Sequence, residues 1–278
     1  MAAHPTSPCV QPTLAAPHSE RIEVAVATMG QSDPARLTAR MGLANADVDV
    51  LIINQCPDRS VPKPYERGTV RMLSFPERGL ARSRNRALEH ARGDIVLLAD
   101  DDVRYLPQVG PSVAAAFAAM PAVAALCFRY CDAATGLPTK RYPARPGLHD
   151  ARTIAGVSSI EVALRRHRLA GVRFDERFGL GSRFPSGEEA IFLRDLQRRG
   201  AAVGHYPMTL CEHAGAGSGH APWDPVATRA KGAILRRMYP GAWPAVMCAF
   251  ALAKYPRHGG AQGFFAFARS LGEGGRMV

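Results

Sequence analysis

The sequence predicts an α/β fold in which helices flank a largely parallel central sheet. Along residues 22–99, short apolar runs alternate with segments of helical period, in the order strand, helix, strand, strand, helix, strand. The last strand, residues 95–99, is a continuous apolar run typical of a strand buried on both faces, and three aspartates follow it directly. These observations favour a doubly wound sheet that binds its ligand at the carboxyl ends of its strands.

The remaining elements continue this pattern. Strands are predicted at residues 22–28, 48–54, 70–75, 95–99 and 123–130, with a short edge strand at 203–206. Helices are predicted around Leu37 and Met41 and at residues 79–91, 106–119, 159–169 and 188–199, the last with Ser186 as its N-cap. Residues 132–152 are rich in Gly, Pro and Arg and predict a long loop, and such loops often serve as lids or acceptor-binding elements.

Three regions are predicted from composition. Residues 1–20, with four prolines and no periodicity, indicate a disordered tail, and residues 21–224 the α/β domain. Residues 225–278 indicate a C-terminal helical extension with an apolar face flanked by basic residues. Such a face favours packing on the core, and the alternative is a basic amphipathic segment that rests on a membrane surface.

Charge and cysteine content narrow the classes of partner. The formal net charge is +11, mostly from Arg, which favours phosphorylated ligands, nucleic acid or an anionic membrane surface. The six cysteines contain no Cys-x-x-Cys pair, so we expect reduced thiols in a cytoplasmic protein. No start resembling a secretory signal and no apolar run of about 18 residues is present, so no spanning helix is expected.

The acidic triplet Asp100, Asp101 and Asp102 is the first candidate site. If the strand continued through it, Asp100 and Asp102 would point to one side and Asp101 to the other. Adjacent carboxylates repel one another, and a hard divalent cation with oxygen ligands would relieve that repulsion. The alternative, a solvated acidic turn after a strand, stays open at this point.

Two further polar groups accompany the triplet. Arg82 and Arg84 lie in the helix just before it and offer phosphate contacts, although a solvated helix face explains them equally well. Glu188 or Glu189 is a candidate general base, with complementarity to the helix dipole as the alternative. His213 alone is more typical of a structural histidine.

Taken together, these motifs resemble the inverting GT-A glycosyltransferases of family 2. Residues 79–85 (GLARSRN) leading into the aspartates resemble that family's Arg-Asn helix and Asp-x-Asp motif. Residues 174–181 and 187–189 resemble its acceptor-site and base motif, and His213 with Ser218 resembles a later histidine that completes the metal or diphosphate site in some members. Two departures are Asn54-Gln55, where an Asp that recognises the nucleobase is common, and Glu188-Glu189 in place of Glu-Asp.

The resemblance implies a GT-A fold, with a Rossmann-like, largely parallel central sheet whose nucleotide-sugar half runs to about residue 130 and whose acceptor half comes after it. It implies Glu189 as the base, with Glu188 as the alternative. A metal ion, Mn²⁺ or Mg²⁺, is implied at Asp102, Asp100 and His213. The implied donor-binding residues are Thr28, Asn54, Arg84, Asn85, Asp100 and Asp101.

The activity implied by the resemblance is a single in-line displacement from a nucleotide-diphosphate sugar, with UDP or dTDP as the nucleotide. The implied acceptor is a hydroxyl of a glycan or lipid-linked saccharide in polysaccharide biosynthesis. A cytoplasmic enzyme is expected, with the C-terminus as a peripheral contact with the inner face of the membrane.

Three other classes fit less well. A nucleotidyltransferase would need a Gly-rich, basic loop after the first strand, and residues 29–34 hold one Gly and no cation. A dinucleotide dehydrogenase would need Gly-x-Gly-x-x-Gly there. A nucleic-acid-binding protein would need clustered cations with interleaved aromatics, which the chain lacks, so no nucleic-acid partner is expected.

Overall fold

A computed structural model of the chain describes residues 20–58, 60–214, 224–254 and 261–278. The predicted disordered tail therefore lies outside the described residues, apart from Glu20, and so does Ser218. The described ranges include the predicted α/β domain except residues 59 and 215–223, and the C-terminal extension except residues 255–260.

One mixed sheet of ten strands organises the described chain, in the order β3-β4-β2-β1-β5-β9-β7-β10-β6, with β8 paired to β10. Strands β4, β2, β1, β5, β7 and β10 run in one direction, and the four others run against them. The strands are β1 (Ile22–Met29), β2 (Asp49–Gln55), β3 (Tyr65–Arg67), β4 (Val70–Phe75), β5 (Ile95–Asp100), β6 (Val103–Tyr105), β7 (Val123–Asp132), β8 (Gly147–Leu148), β9 (Val162–Arg165) and β10 (Ala202–His213).

Helices cover both faces of this sheet, as the strand β5 shows. Val96 and Leu98 pack into the apolar cluster on one face, and Ile95, Leu97 and Ala99 into the cluster on the other. Full burial of each large side chain contributes roughly 1.5–3 kcal/mol, so the predicted two-sided burial is a main source of stability. The helices are α1 (Pro34–Arg40), α2 (Leu80–His90), α3 (Val109–Ala119), α4 (Glu188–Arg198), α5 (Pro225–Met238), α6 (Trp243–Lys254) and α7 (Ala261–Arg276).

The helix predicted at residues 159–169 is wrong. A capping box between Ser158 and Glu161 starts a single 3₁₀ turn, and the chain then forms strand β9, followed by a second short turn at Arg166–Arg168. Val162 and Leu164 are fully buried, and β9 pairs antiparallel with both β5 and β7. A short apolar run is compatible with a helix or a strand. Here the segment forms a strand because it fills the space between β5 and β7 and pairs with both.

The predicted edge strand at residues 203–206 is also wrong in length and position. Strand β10 has 12 residues and lies inside the sheet, between β7 and β6. Its pairing with β7 is irregular between His205 and Thr209, where Pro207 has no N–H to donate. His213 is the last residue of this strand.

The C-terminal extension is helical, as predicted. Helix α5 joins the main core through Ala230, Ala233 and Ile234, whereas α6 and α7 share a small cluster around Phe267 and Leu271. None of the helices in the described ranges is long and apolar enough to cross a membrane. Ser186 is not the cap of α4, because Gly187 takes that position with a left-handed φ of 87°.

Candidate active site

The polar residues singled out in the sequence meet at the carboxyl ends of the parallel strands. Thr28 near the end of β1 lies beside Asn54 of β2, and Asp100 at the end of β5 lies beside Ala27. His213 ends β10 and pairs with Val103, the residue after the acidic turn. Parallel strands that end at one edge thus gather groups that are far apart in the chain.

Arg84 is buried at the centre of this group of polar residues. Its side chain, on α2, donates to Glu188 Oε1 at 2.5 Å and to Asp100 Oδ1 at 3.2 Å. Burial disfavours its charge, but the two carboxylates outweigh this effect and raise the pKa of Arg84. Arg84 therefore joins the acidic turn to the first turn of α4, and the idea of a solvated helix face is wrong for it. Arg82 does lie on such a face and pairs with Glu176 at 3.1 Å.

Asn85 holds the loop before α4. Its side chain accepts from the backbone N–H of Phe174 at 2.8 Å and donates to the carbonyl of the same residue at 3.0 Å. It also donates to Glu176 at 3.1 Å. The amide is buried and fully engaged, so the structure places Asn85 in a positioning role and not at an open ligand surface.

Each aspartate of the triplet has a different partner. Asp100 contacts Arg84 and, through its other oxygen, Ser159 at 3.4 Å. Asp101 accepts from the Thr28 hydroxyl at 2.5 Å. Asp102 lies 3.2 Å from His213 Nε2. The strand ends at Asp100 and a turn comes next, so the predicted alternation of these side chains does not apply.

Asn54, which the resemblance places at the nucleobase, is fully buried within the protein. Its amide accepts from Gln31 N–H at 2.8 Å and donates to the Gln31 carbonyl and the Ser74 hydroxyl. It fixes the loop after β1. Gln55 does the same for α2, exchanging two hydrogen bonds of 2.9 Å with the backbone of Gly79. No sequence signal identified this second role.

The two glutamates at the start of α4 lie in different surroundings. Glu188 is 3% exposed and engaged by Arg84, whereas Glu189 is partly exposed and forms no ion pair with a described residue. The pKa of Glu189 is raised, first by burial of its carboxyl and next by the negative charge of Glu188, with Arg84 opposing both. Glu189 is thus the one of the two whose carboxyl forms no ion pair with Arg84.

The three predicted metal ligands are not brought together as a set. Within the part of the chain that is described, no three His, Cys, Asp or Glu side chains group closely enough to hold a metal ion by themselves. Asp102 and His213 do meet, while Asp100 faces Arg84. The His213 Nδ1 atom is buried without a hydrogen-bond partner among the described residues.

Comparison with solved structures gives the same fold. The crystal structure of S. aureus TarS superposes with a TM-score of 0.53 at 15% identity, covering 80% of this chain and 44% of that one. TarS 1–349 in complex with UDP-GlcNAc gives 0.55 at 15% identity, covering 79% and 66%. TarS 1–349 in complex with UDP gives 0.52 at 14% identity, covering 85% and 77%. This chain thus spans less than half of the longer TarS chain.

Sequence comparison identifies the family. No curated protein matches the chain. The sequence profile of glycosyl transferase family 2 matches residues 39–197, which is more than half of it and includes the Arg84, Asp100–Asp102 and Glu188–Glu189 motifs. The largely parallel sheet flanked by helices confirms the predicted GT-A fold. The chain therefore belongs to glycosyl transferase family 2.

Proposed function

We propose that the protein is an inverting, metal-dependent glycosyltransferase that uses a nucleotide-diphosphate sugar. The single observation that carries this proposal is the Arg84 bridge, because it joins the acidic turn and the Glu188–Glu189 pair into one site. Transfer of a sugar between two substrates needs a site for the donor diphosphate next to a general base. Arg84 brings the candidate residues for these two sites together.

The donor is a UDP- or dTDP-sugar. Support comes from the structural likeness to TarS 1–349 in complex with UDP-GlcNAc and in complex with UDP. Asp101 and Asp102 lie at the carboxyl ends of the strands, where a nucleotide diphosphate would bind. Thr28 is buried behind them and donates its hydroxyl to Asp101. Three buried residues would support the donor site without touching the donor. Asn54 holds the loop after β1, Arg84 holds the Glu188 and Asp100 carboxylates, and Asn85 holds the loop before α4.

Asp102 and His213 would hold a Mn²⁺ or Mg²⁺ ion. Their side chains meet at the strand ends, with His213 Nε2 3.2 Å from Asp102 Oδ2, and the Asp102 side chain is 60% exposed. One carboxylate and one imidazole suit such an ion and leave positions for diphosphate oxygens. When bound, the cation would neutralise the charge that develops on the leaving diphosphate.

Glu189 is the general base. Its carboxylate takes the proton of the acceptor hydroxyl while the acceptor oxygen bonds to the anomeric carbon, and the bond from that carbon to the diphosphate oxygen breaks on the opposite face. The configuration at the carbon is thereby inverted. Arg84 keeps Glu188 and Asp100 in place during this step. Gly179, with a φ of 99°, lets the loop before α4 pass close to the Glu188 carboxyl, since an added Cβ would lie 3.0 Å from its Cδ atom.

The acceptor is a hydroxyl of a glycan or lipid-linked saccharide in polysaccharide biosynthesis. The basic C-terminal helices support a position near anionic lipid, where such acceptors are presented.

A thermal-shift screen of UDP, dTDP and GDP, each with and without Mn²⁺, tests the proposed function. A ligand that binds only the native state raises the melting temperature by mass action. We expect UDP or dTDP to raise it only when Mn²⁺ is present. If no nucleoside diphosphate stabilises the protein under either condition, the proposal is wrong.

A further inference from the structure

Helix α5 of the C-terminal extension packs against the N-terminal turn of α4. A Cβ atom added at Gly187, the N-cap of α4, would lie 2.5 Å from Ile234 Cδ1 of α5. The next two residues of α4 are Glu188 and Glu189, so α5 lies against the turn that carries both glutamates. Helix α5 is nevertheless outside residues 39–197, which match the family profile, and the family pattern alone assigns it no role.

The side chain of Arg237, near the end of α5, joins this helix to two other segments. Its Nη1 and Nη2 atoms donate to the two carboxylate oxygens of Asp195 on α4, at 3.0 and 2.6 Å. Its Nε donates to Asp175 Oδ2, in the loop before α4, at 2.9 Å. The Arg237 side chain is 25% exposed, so most of it is shielded from water. Because the donors of a guanidinium form a rigid fork, Arg237 holds the two carboxylates at a fixed separation.

The loop that this arginine holds runs past the glutamates of α4. At its start, Phe174 stacks on Phe192 of α4 with the ring centroids 4.2 Å apart, and Asn85 of α2 holds the Phe174 backbone. Further along, at Gly179, the loop comes so close to Glu188 that an added Cβ would meet its carboxyl group. The start of the loop is therefore held by α2 and α5 together, and a shift there would move the surface beside the glutamates.

We propose that Arg237 is a positioning residue for sugar transfer. It fixes the loop of residues 174–186 relative to the first turn of α4, and so fixes the bound acceptor relative to Glu189. It acts through Asp175 and Asp195 and touches neither substrate. The inference rests on the proposed role of Glu189 as the base, and it makes the C-terminal extension part of the active site.

Loss of the Arg237 side chain should leave the protein folded. Asp175 keeps its ion pair with Arg177 at 2.8 Å, and Asp195 keeps its pair with Arg198 at 3.2 Å. Neither carboxylate is left without a cation, so Arg237→Met avoids the large cost of an unpaired buried charge. Thermal unfolding checks this. If Arg237→Met does not fold, Arg237→Lys takes its place, since Lys keeps the charge but lacks the fork that reaches both carboxylates.

The test compares turnover of full-length Arg237→Met and Arg236→Met with the wild type, as nucleotide release from the sugar nucleotide that the thermal-shift screen identifies. Arg236 is the matched control in the same helix, since it donates to the Pro240 carbonyl, lies over the Trp243 ring and forms no ion pair with a described residue. We expect kcat of Arg237→Met to fall roughly 10- to 100-fold, because a misplacement of about 1 Å can cost about 10²-fold. The dissociation constant of the nucleotide should not change, and Arg236→Met should keep the wild-type kcat.

Hydrogen exchange of the ligand-free protein gives a second readout that needs no substrate. Backbone amides of residues 174–192 should exchange faster in Arg237→Met than in the wild type or in Arg236→Met, while those of β1 and β5 should not change.

A folded Arg237→Met with the wild-type kcat, or with unchanged exchange in residues 174–192, would overturn the inference. An equal loss of nucleotide affinity would also overturn it, because a general loosening of the site would then explain the lower turnover. Failure of the proposed function is a different result, namely full turnover by Glu189→Gln, and the exchange measurement does not depend on it.

Discussion

Arg84 is the residue on which the site depends most. It is 2% exposed and shared between Glu188 and Asp100. Its removal leaves two carboxylates without their cation, one of them buried, and breaking a buried ion pair typically costs about 3–5 kcal/mol. We therefore expect Arg84→Met to lower the free energy of unfolding in urea by about that amount.

Arg82→Met is the matched control for this prediction, because it changes the same helix. The Arg82 and Glu176 side chains are about half exposed, and pairs of this kind contribute about 1 kcal/mol or less. Equal decreases in the free energy of unfolding in the two variants would show that the buried ion pairs of Arg84 stabilise the protein no more than an exposed pair does.

The stability of the protein should depend on pH through His149. Burial, and then the neighbouring His205, lowers the pKa of His149 to about 4. Its pKa in the unfolded chain is about 6.5, so between these values the unfolded state binds a proton that the native state does not. The contribution of neutral His149 to the free energy of unfolding is therefore fully present above about pH 6.5, and it is lost as the pH falls towards 4.

Thermal unfolding at pH 7 and pH 5 checks this prediction. The decrease in melting temperature between the two should be smaller in His149→Gln than in the wild type. The same decrease in both proteins would mean that other groups cause the pH dependence.

Residue types were easier to predict than residue contacts. The aspartates, Arg84 and the two glutamates all lie at the site, because their order along the chain carries the family's pattern. Asn54 was placed at the nucleobase, yet its amide is taken up by Gln31 and Ser74. A side chain's partner depends on which loops fold over it, and the spacing of residues in one sequence does not contain that information.

At the scale of elements, the contact between α5 and α7 offers a sharp test. A Cβ atom added at Gly274 would overlap the Arg229 carbonyl of α5, whereas at Gly272 the nearest atom is a flexible Arg276 nitrogen at 3.4 Å. Overpacking of this kind typically costs about 1–3 kcal/mol. We expect Gly274→Ala to lower the melting temperature.

Gly272→Ala is the control in the same helix. Without a clash, the higher helix propensity of Ala gains up to about 1 kcal/mol, so this variant should be unchanged or more stable. If Gly274→Ala is equally stable, α7 does not pack on α5 as described.

Strands β9 and β10 show why some elements were not predicted. The sequence of residues 162–165 is compatible with a helix as well as with a strand. The segment forms a strand because it pairs with β5 on one side and β7 on the other. Pro207 suggests the end of a strand, but β10 continues past it through an irregular pairing. By contrast, β1, β2, β4, β5 and α2 were predicted correctly because their patterns are long and unambiguous.

The whole molecule presents a basic surface with exposed apolar residues at its C-terminal end. Leu252 is 64% and Phe265 is 69% exposed, and the net charge is +11. Each cation near an anionic surface contributes about 1 kcal/mol. We expect the protein to float with liposomes that contain phosphatidylserine and not with phosphatidylcholine alone, and Phe265→Ser to float less.

The prediction would be contradicted if the protein floated equally with both kinds of liposome, or if it floated with neither. The extension would then serve the core and α4 alone.

If Glu189 is the base of a glycosyl transfer, its loss should abolish most turnover, and turnover by Glu189→Gln beside Glu188→Gln measures this. Turnover is followed as nucleotide release from the sugar nucleotide that the thermal-shift screen identifies, and the dissociation constant of the nucleotide is measured in parallel. Gln retains the size of Glu but cannot take up the proton, so kcat of Glu189→Gln should fall by about 10²–10⁴-fold. Nucleotide affinity should be nearly unchanged. If Glu189→Gln turns over at the wild-type rate, Glu189 is not the base and another residue must accept the proton.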